Sequence, residues 1–381
     1  MNIDLIEKTP SVALADHART LKNSGLSIIE LQTGDPDFST HPDIITATHK
    51  ALLAGETHYS FSSGLPLLRK CIASEMARDF DIALSSKNIL ITQGAVQGTL
   101  AVLSALVESG DEVIILEPNW PTVDSLVNVC GGRPIKVSHL VTDEKLFDSL
   151  DKCLSKKTKI LCINSPNNPT GCVFSKYRIQ CLVDWCHQHS LFLVSDEVYR
   201  SIIFDCVHSS VMHHYKDNEN IVFIDSFSKK YAMTGWRVGI VVAHFKLIEK
   251  IAKASQIQIT HVAPFVQLGA LEALQNKEVC NFVNMMKLQY AKRRNFLIKL
   301  CEQLGLEIIV PQGAFYLFLN VGGDDVSYSK KLLNEHSICV IPGSSYGASG
   351  RGYIRLTFAA QKNVVADALK VISQTLVGKE H

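Results

Sequence analysis

The sequence predicts an α/β fold with a large domain, in which helices cover a mostly parallel sheet, and a smaller α+β domain. Three observations support this prediction. The chain has 381 residues, which is long for a single hydrophobic core. Short runs of Ile, Val and Leu alternate with helical patterns through most of the chain. The last hundred or so residues instead combine a long charged helix with several short strands.

Six apolar runs predict the strands of the large sheet. Their apolar and polar residues do not alternate cleanly, which is typical of strands buried on both faces. Helical stretches such as 96–108 and 175–190 separate most of the runs, so a mostly parallel sheet is expected. The predicted strands are 88–92, 112–117, 159–164, 191–195, 221–225 and 238–243.

The C-terminal part predicts a second, smaller domain. Its predicted elements are a helix at 277–304, strands near 307–310, 315–321, 337–341 and 353–357, and a closing helix near 362–376. We therefore predict three segments: 1–45 as an N-terminal arm with part of the small domain, 46–276 as the large domain, and 277–381 as the small C-terminal domain.

The charge balance argues against polyanionic partners. The 38 Lys and Arg residues and the 37 Asp and Glu residues leave a formal net charge of +1. This balance predicts no nucleic acid and no anionic membrane as partner. The N-terminus shows no secretory pattern, and no apolar stretch approaches the ~20 residues of a membrane span. A cytoplasmic protein is expected.

The 11 cysteines are scattered singly, without a CxxC pair or zinc-finger spacing. Cys181, Cys186, His187 and His189 lie close together, but the periodicity of their segment predicts an amphipathic helix. We therefore favour packing over metal binding and predict no metal site. The unpatterned cysteines are typical of a reducing compartment.

The segment at 226–239, SFSKKYAMTGWRVG, is the strongest chemical signal. It follows a predicted strand, so its lysines lie at the carboxyl end of the sheet, where open α/β sheets bind ligands. Hydroxyls from Ser226 and the guanidinium of Arg237 are suitable phosphate ligands, and a neutral Lys229 amine could attack an aldehyde. Adjacent lysines are more often solvated, and we expect that of Lys230.

Three further segments follow predicted strands. NSPNNPTG at 164–171 could be a plain turn, and SDEVYR at 195–200 could cap a helix. In the latter, Asp196 and Tyr199 could face one site, where a buried acid could pair with a cationic ring nitrogen. In NILITQGAVQGTL at 88–100, a helix start offers backbone N–H groups to phosphate, without a complete dinucleotide or Walker motif.

Together these segments resemble the class I/II, fold-type I aminotransferases that depend on pyridoxal 5′-phosphate (PLP). SxSKxxxMTGWRxG with NNPTG and DEVY upstream is a highly specific combination, and the resemblance covers nearly the whole chain in order. It implies an enzyme that moves an amino group from an L-amino acid to a 2-oxo acid by a ping-pong mechanism. It also implies a homodimer with a large PLP-binding domain and a small α+β domain.

The resemblance implies a role for each matching residue. Lys229 holds PLP and shuttles the proton; Ser226, Arg237, Ala95 and Val96 bind its phosphate; Asp196 pairs with the ring nitrogen; Tyr199 and Asn168 bond the ring oxygen; Trp120 stacks on the ring; and Tyr59 reaches the partner subunit's phosphate. Arg355, Gly34 and Asn168 are the residues expected to bind substrate, with Arg355 and the Gly34 backbone at the α-carboxylate.

Two other functions stay open from the sequence. A β-lyase or cyclising synthase on the same fold would share Lys229, Asp196 and Arg355. A non-catalytic PLP-binding regulator would carry a DNA-binding module, for which the chain leaves no room before about Ile28. The amino donor is also open. Some aspartate-using relatives have a lysine near the position of Val96, while His41 and His261 cannot be placed from sequence.

Overall fold

A computed structural model describes residues 10–217 and 219–377. The helices within these residues are α1 (Pro10–Asn23), α2 (Pro42–Leu53), α3 (Pro66–Phe80), α4 (Gly94–Leu106), α5 (Thr122–Val129), α6 (Asp143–Cys153), α7 (Lys176–Gln188), α8 (Phe227–Lys230), α9 (Phe245–Ile259), α10 (Pro264–Gln275), α11 (Lys277–Gln303), α12 (Asp325–His336) and α13 (Lys362–Val377). The strands are β1 (Ile29–Glu30), β2 (Ile89–Thr92), β3 (Glu112–Glu117), β4 (Arg133–Ser138), β5 (Thr158–Asn164), β6 (Phe192–Asp196), β7 (Ile221–Ser226), β8 (Gly239–Val242), β9 (Ile308–Ile309), β10 (Tyr316–Asn320), β11 (Ile338–Cys339), β12 (Ile341–Pro342) and β13 (Tyr353–Thr357).

The main sheet has the strand order β2-β8-β7-β6-β5-β3-β4. Neighbouring strands from β7 to β4 pair in parallel, whereas β8 is antiparallel to both β2 and β7. The prediction of a mostly parallel sheet covered by helices is confirmed. Because β2 lies antiparallel to β8, it points the same way as β7, and its carboxyl end reaches the same edge of the sheet.

Both faces of this sheet are buried, as the continuous apolar runs predicted. Consecutive residues of β3 pack into the cores on the two faces of the sheet. Ile114 lies in the core that includes α3 and α7, whereas Val113 lies in the core that includes α4 and α9. Helix starts are specified locally. Ser175 Oγ accepts a hydrogen bond from the Arg178 backbone N–H at 3.1 Å, which caps α7, and a proline occupies the first turn of α2, α3 and α10.

A smaller antiparallel sheet of order β12-β13-β10-β9 follows, with helices α11 and α13 packed in its core. The predicted smaller α+β unit is thereby confirmed. Strand β1, close to the N-terminus, pairs in parallel with β11. The predicted division at residues 45 and 276 stays a prediction, and residues 1–9 of the predicted arm and 378–381 at the C-terminus lie outside the described residues.

The helices and the cysteines bear on whether the chain has membrane-spanning segments and disulfide bonds. Within the described part of the chain, none of the helices combines the length and apolar character needed to cross a membrane. All eleven cysteines lie among the described residues and none is joined in a disulfide there. Cys186, one of the four clustered residues considered for metal binding, is fully buried in the core beneath α7.

Candidate active site

A cavity of about 270 Å³ lies at the carboxyl edge of the main sheet. Asn164, Asp196 and Ser226 end three neighbouring strands there, and register pairs Asn164 directly with Asp196. The cavity wall contains every site residue named from the sequence except Tyr59. Its lining residues are Gly34, Ala95, Val96, Trp120, Asn164, Asn168, Asp196, Val198, Tyr199, Ser226, Ser228, Lys229, Thr234, Arg237, Tyr316 and Arg355.

Lys229 extends from α8 into this cavity. Its Nζ donates a hydrogen bond to the Gly34 carbonyl at 2.6 Å and lies 6.0 Å from the centre of the Tyr199 ring. Burial lowers the pKa of Lys229 to about 8, with nearby Asp35 opposing that shift. An appreciable fraction of the amine is therefore neutral near pH 7, as a nucleophile requires.

Asp196 lies beside Lys229 at the end of β6. Its Oδ1 accepts a hydrogen bond from the Val198 backbone N–H at 3.2 Å. Burial raises the pKa of Asp196 to about 7, and the carboxylates of Asp225 and Glu197 add to this shift. A cation placed against Asp196 would favour its ionised form. Asp196 is therefore placed where a positively charged group could bind beside it and keep its carboxylate ionised.

A pair of tyrosines forms the wall behind Lys229. The hydroxyls of Tyr199 and Tyr316 are 2.6 Å apart, and both rings are buried. Gly34 lies against Tyr316 so closely that a Cβ at position 34 would overlap the Tyr316 hydroxyl. The backbone of Gly34 can thus approach both Tyr316 and Lys229 only because it has no side chain.

One part of the cavity wall is suited to an anion. Helix α4 begins there with Gly94, Ala95 and Val96, and its N-cap residue, Gln93, makes no side-chain capping hydrogen bond. Its free N–H groups and the helix dipole favour negative charge. Arg237 lies against Gly94, where a Cβ would collide with the guanidinium, and Ser226 and Ser228 contribute hydroxyls to the same cavity.

Arg355 approaches from β13 of the small sheet and is almost completely buried. One of its terminal nitrogens donates to Asn168 Oδ1 at 3.0 Å and the other contacts the Gln32 carbonyl. The Nε atom is buried without a hydrogen-bond partner among the described residues. A buried, unpaired guanidinium N–H is costly, and a carboxylate in the cavity would relieve that cost.

The two aromatic residues expected at the site have different positions. Trp120, in the loop after β3, lines the cavity. Tyr59 lies outside it, with 90% of its surface exposed and its ring 5.7 Å from that of His261. Its expected role toward a partner subunit stays a prediction.

Sequence reasoning missed several lining residues. Asn164 was quoted within NSPNNPTG but given no role; its Oδ1 accepts a hydrogen bond from the Asn168 N–H at 2.7 Å and its Nδ2 donates to the Asp196 carbonyl at 3.0 Å. Its place at the end of a strand was a usable signal. Tyr316 was missed because it sits in an apolar strand, AFYLFLN, where packing is the ordinary expectation.

Comparisons with known proteins agree with this geometry. The family model for aminotransferase class I and II matches residues 27–372. Over 359 residues the chain is 34% identical to the aspartate aminotransferase of Pyrococcus horikoshii, covering 93% of this chain and 92% of that protein. The solved structure of Thermotoga maritima aspartate aminotransferase matches with a TM-score of 0.92 and 31% identity, over 98% of this chain and 99% of that one. An aromatic aminotransferase structure from Pyrococcus horikoshii matches with a TM-score of 0.88 and 33% identity, over 96% and 99%.

An α/β fold with a part-buried lysine, a part-buried acid and a buried arginine around one cavity is thus found in a chain similar to known aminotransferases. The chain belongs to the class I and II aminotransferases. It is an enzyme of the PLP-dependent transaminase type, which moves an amino group from an amino acid to a 2-oxo acid. The predicted family, fold type and enzyme class are confirmed.

Proposed function

We propose that this chain binds PLP covalently through Lys229 and that the site residues take the roles predicted above. The observation that carries the proposal is the arrangement around Lys229. A part-buried amine with a lowered pKa lies in one cavity with a part-buried acid and a helix start that has no side-chain cap at its N-cap residue. Lys229, Asp196 and the first residues of α4 all line this one cavity at the carboxyl edge of the main sheet.

The residues present fit each part of PLP. The first turn of α4 with Ser226 and Arg237 would hold the phosphate, and Asp196 would hold the proton on the ring nitrogen. That cation would in turn lower the pKa of Asp196 and keep the carboxylate ionised. Tyr199 and Asn168 would hydrogen-bond the ring oxygen, and Trp120 would pack on the ring. When bound, PLP supplies an electron sink for the substrate α-carbon.

Lys229 would also move the proton. When it is not bonded to PLP, its Nζ would stay confined to the cavity, and the lowered pKa would favour its neutral form. It would then take the proton from the substrate α-carbon and give a proton back later in the transfer. Its hydrogen bond to the Gly34 carbonyl holds the amine close to the point where the substrate carboxylate is expected.

Arg355 would bind the substrate α-carboxylate through its unpaired Nε and a terminal nitrogen. Asn168 holds the guanidinium in place through its 3.0 Å hydrogen bond. Fixing the carboxylate in this way orients the α-hydrogen toward Lys229. Of the described residues that line the cavity, the cationic ones are Lys229, Arg237 and Arg355, each with a proposed role. The donor side chain therefore meets no further cation of this chain in the cavity.

We propose that the active form is a homodimer. Tyr59 is exposed and lies outside the cavity of its own chain, as expected of a residue that serves a partner's site. Sedimentation is expected to show twice the chain mass of 42.1 kDa. Mixing a Tyr59→Ala chain with a Lys229→Ala chain should restore part of the activity, because one site of each mixed dimer is then intact. Failure to complement, with both chains dimeric, would contradict the shared site.

We also propose a cytoplasmic location, consistent with eleven cysteines that are all free thiols. Cell fractionation in the source organism would test this location. Recovery of the protein with the membrane or the exterior fraction would contradict it.

Borohydride reduction followed by peptide mapping tests the central proposal. We expect a pyridoxyl group on Lys229; labelling of Lys230 instead, or of neither lysine, would overturn it. Aspartate, phenylalanine, tyrosine and alanine should then be assayed as donors to 2-oxoglutarate and pyruvate. Aspartate and aromatic donors come first because relatives are named for them. Release of an oxo acid with amino transfer is expected, whereas ammonia with pyruvate would indicate a β-lyase.

A further inference from the structure

We propose that Tyr316 is a positioning residue that donates a hydrogen bond to Tyr199 and thereby directs the Tyr199 proton into the cavity. The inference rests on the proposed function, in which Tyr199 hydrogen-bonds the PLP ring oxygen. Tyr316 does not itself need to touch PLP. It would act by fixing which way the Tyr199 hydroxyl points.

The geometry makes this pair well defined. The two hydroxyl oxygens are 2.6 Å apart, and the rings pack edge to face with centroids 5.7 Å apart. Tyr199 follows β6 of the main sheet, whereas Tyr316 begins β10 of the small sheet. The hydrogen bond therefore joins the two sheets at the cavity. Gly34 lies next to the Tyr316 hydroxyl, at a position where a Cβ would overlap it.

The charges around the pair favour Tyr316 as the donor. Arg355 lies over the Tyr316 ring, with its Cζ 4.4 Å from the ring centre. A cation in that position withdraws negative charge from the ring and strengthens its hydroxyl as a donor. Burial raises the pKa of both hydroxyls; the charge of Arg355 is the largest effect that opposes this rise at Tyr316, whereas the charge of Asp196 raises the pKa of Tyr199 further.

The direction of this hydrogen bond has a chemical consequence. If Tyr316 donates, the Tyr199 oxygen accepts on one side and its own proton is left to point at the cavity. Donation to an oxygen also makes that hydroxyl a stronger donor in turn. Tyr199 would then stabilise an anionic ring oxygen more strongly. If Tyr199 donated to Tyr316 instead, its proton would be engaged in that hydrogen bond, and the ring oxygen would receive no hydrogen bond from Tyr199.

The test is a pH titration of the absorbance of PLP bound to Lys229, in wild type and Tyr316→Phe. The substitution removes the hydroxyl and keeps the ring beneath Arg355. We expect the chromophore pKa to rise by about 0.5 to 1 unit, because Tyr199 stabilises the ring oxygen anion less well. An unchanged or lowered pKa would overturn the inference, since deletion of a mere acceptor frees the Tyr199 proton for the ring oxygen.

Two further variants make the result specific. Tyr346 also flanks Arg355, whose Cζ lies 5.4 Å from the centre of the Tyr346 ring. Tyr346→Phe therefore removes a second tyrosine hydroxyl near Arg355 and should leave the chromophore pKa unchanged. In a Tyr199→Phe background, Tyr316→Phe should have no additional effect on that pKa. Full additivity would contradict action through Tyr199. Borohydride mapping of each variant distinguishes this inference from the proposed function. If Lys229 is labelled but the chromophore pKa is unchanged in Tyr316→Phe, only this inference is contradicted. If Lys229 is not labelled, both the proposed function and this inference are contradicted.

Discussion

Lys229 and Lys230 are neighbours on α8 but face two different regions of the molecule. Lys229 enters the cavity, where its hydrogen bond goes to a neutral carbonyl and burial lowers its pKa to about 8. Lys230 faces the opposite side, where its Nζ donates to Glu75 at 3.2 Å. Burial opposes charge on Lys230 as well, but Tyr231 and Glu75 outweigh it and raise its pKa.

The region around Lys230 is an ion-pair region made of Lys230, Glu75, Arg200 and Asp225. The Arg200 Nε lies 2.6 Å from Asp225 Oδ2, so its charges are matched in pairs. The cavity instead contains an amine, an acid and an arginine that lack matched partners. Burial alone therefore does not make a lysine reactive. Burial without a close ion pair lowers the pKa of Lys229 and favours a reactive amine, whereas the ion pair with Glu75 keeps Lys230 a structural cation.

The greatest loss of activity is expected when Lys229 is substituted, and the matched substitution is at Lys230. Lys229→Ala should lower kcat by at least about 10⁴-fold, because both the covalent attachment and the proton shuttle are lost. Lys230→Met should keep turnover within about 3-fold while lowering Tm, because Glu75 is left without its cation. Steady-state assays with an accepted donor and thermal melts measure the two effects. Equal losses of turnover in both variants would contradict the distinction between the two lysines.

Asp196→Asn should have the next largest effect on catalysis. It keeps the size of the side chain and removes the charge that would hold the ring-nitrogen proton. We expect kcat and kcat/KM to fall together by at least about 100-fold, or about 2.7 kcal/mol of activation free energy. Pyridoxyl labelling of Lys229 should persist, since the phosphate contacts remain.

Asp225→Asn is the matched control in the ion-pair region. It removes a buried carboxylate from Arg200 and should lower Tm more than it lowers the turnover of the folded enzyme. If Asp196→Asn retained near wild-type turnover, Asp196 would not be the partner of the ring nitrogen, and SDEVYR would return to its reading as a helix cap.

A smaller effect should appear in the pH dependence of the apoprotein's stability. The pKa of Lys229 is about 8 in the folded protein and 10.5 for the ordinary side chain. Between these values the unfolded state binds more protons, so this group makes stability rise with pH. Relative to Lys229→Met, we expect the wild-type free energy of unfolding to gain about 2 to 3 kcal/mol from pH 8 to 10.5. Denaturant titrations of both apoproteins would show it; a flat difference would mean that Lys229 is not desolvated.

The smallest effect should come from Glu75→Gln. This change removes the counter-ion of Lys230 but retains a hydrogen-bond acceptor, and both side chains are partly exposed. We expect a loss of about 1 kcal/mol in the free energy of unfolding, with turnover unchanged. A drop in turnover at constant stability would show that the ion-pair region influences Lys229 through α8.

The strands of the main sheet were predictable because each is a short apolar run, and β3 spans the predicted residues 112–117. The antiparallel direction of β8 was not predicted. Its composition is the same as that of a parallel strand, since both faces are buried in either case. The signal was the connection: only residues 227–238 separate β7 from β8, which is short for a parallel crossover. The edge strand β4 was also missed, because RPIKVS is partly exposed and lacks a continuous apolar run.

The site was predictable where a residue's type and its place after a strand both pointed to chemistry, as for Lys229 and Asp196. A site residue was harder to predict where its role depends on a contact with a residue that is distant in the sequence. Tyr316 lies 117 positions from Tyr199, and only the folding of the small sheet against the main one brings their hydroxyls together. The unpaired Nε of Arg355 likewise depends on Asn168 and Gln32 occupying the other two nitrogens.

The contact between Gly34 and Tyr316 also bears on how this enzyme's substrate range can be altered. Any side chain at position 34 would have to displace the tyrosine hydroxyl, and with it the wall that confines Lys229. Val96, by contrast, lines the same cavity and is 37% exposed. A mutant library that randomises Val96 and leaves Gly34 fixed should therefore yield folded, active proteins far more often than one that does the reverse.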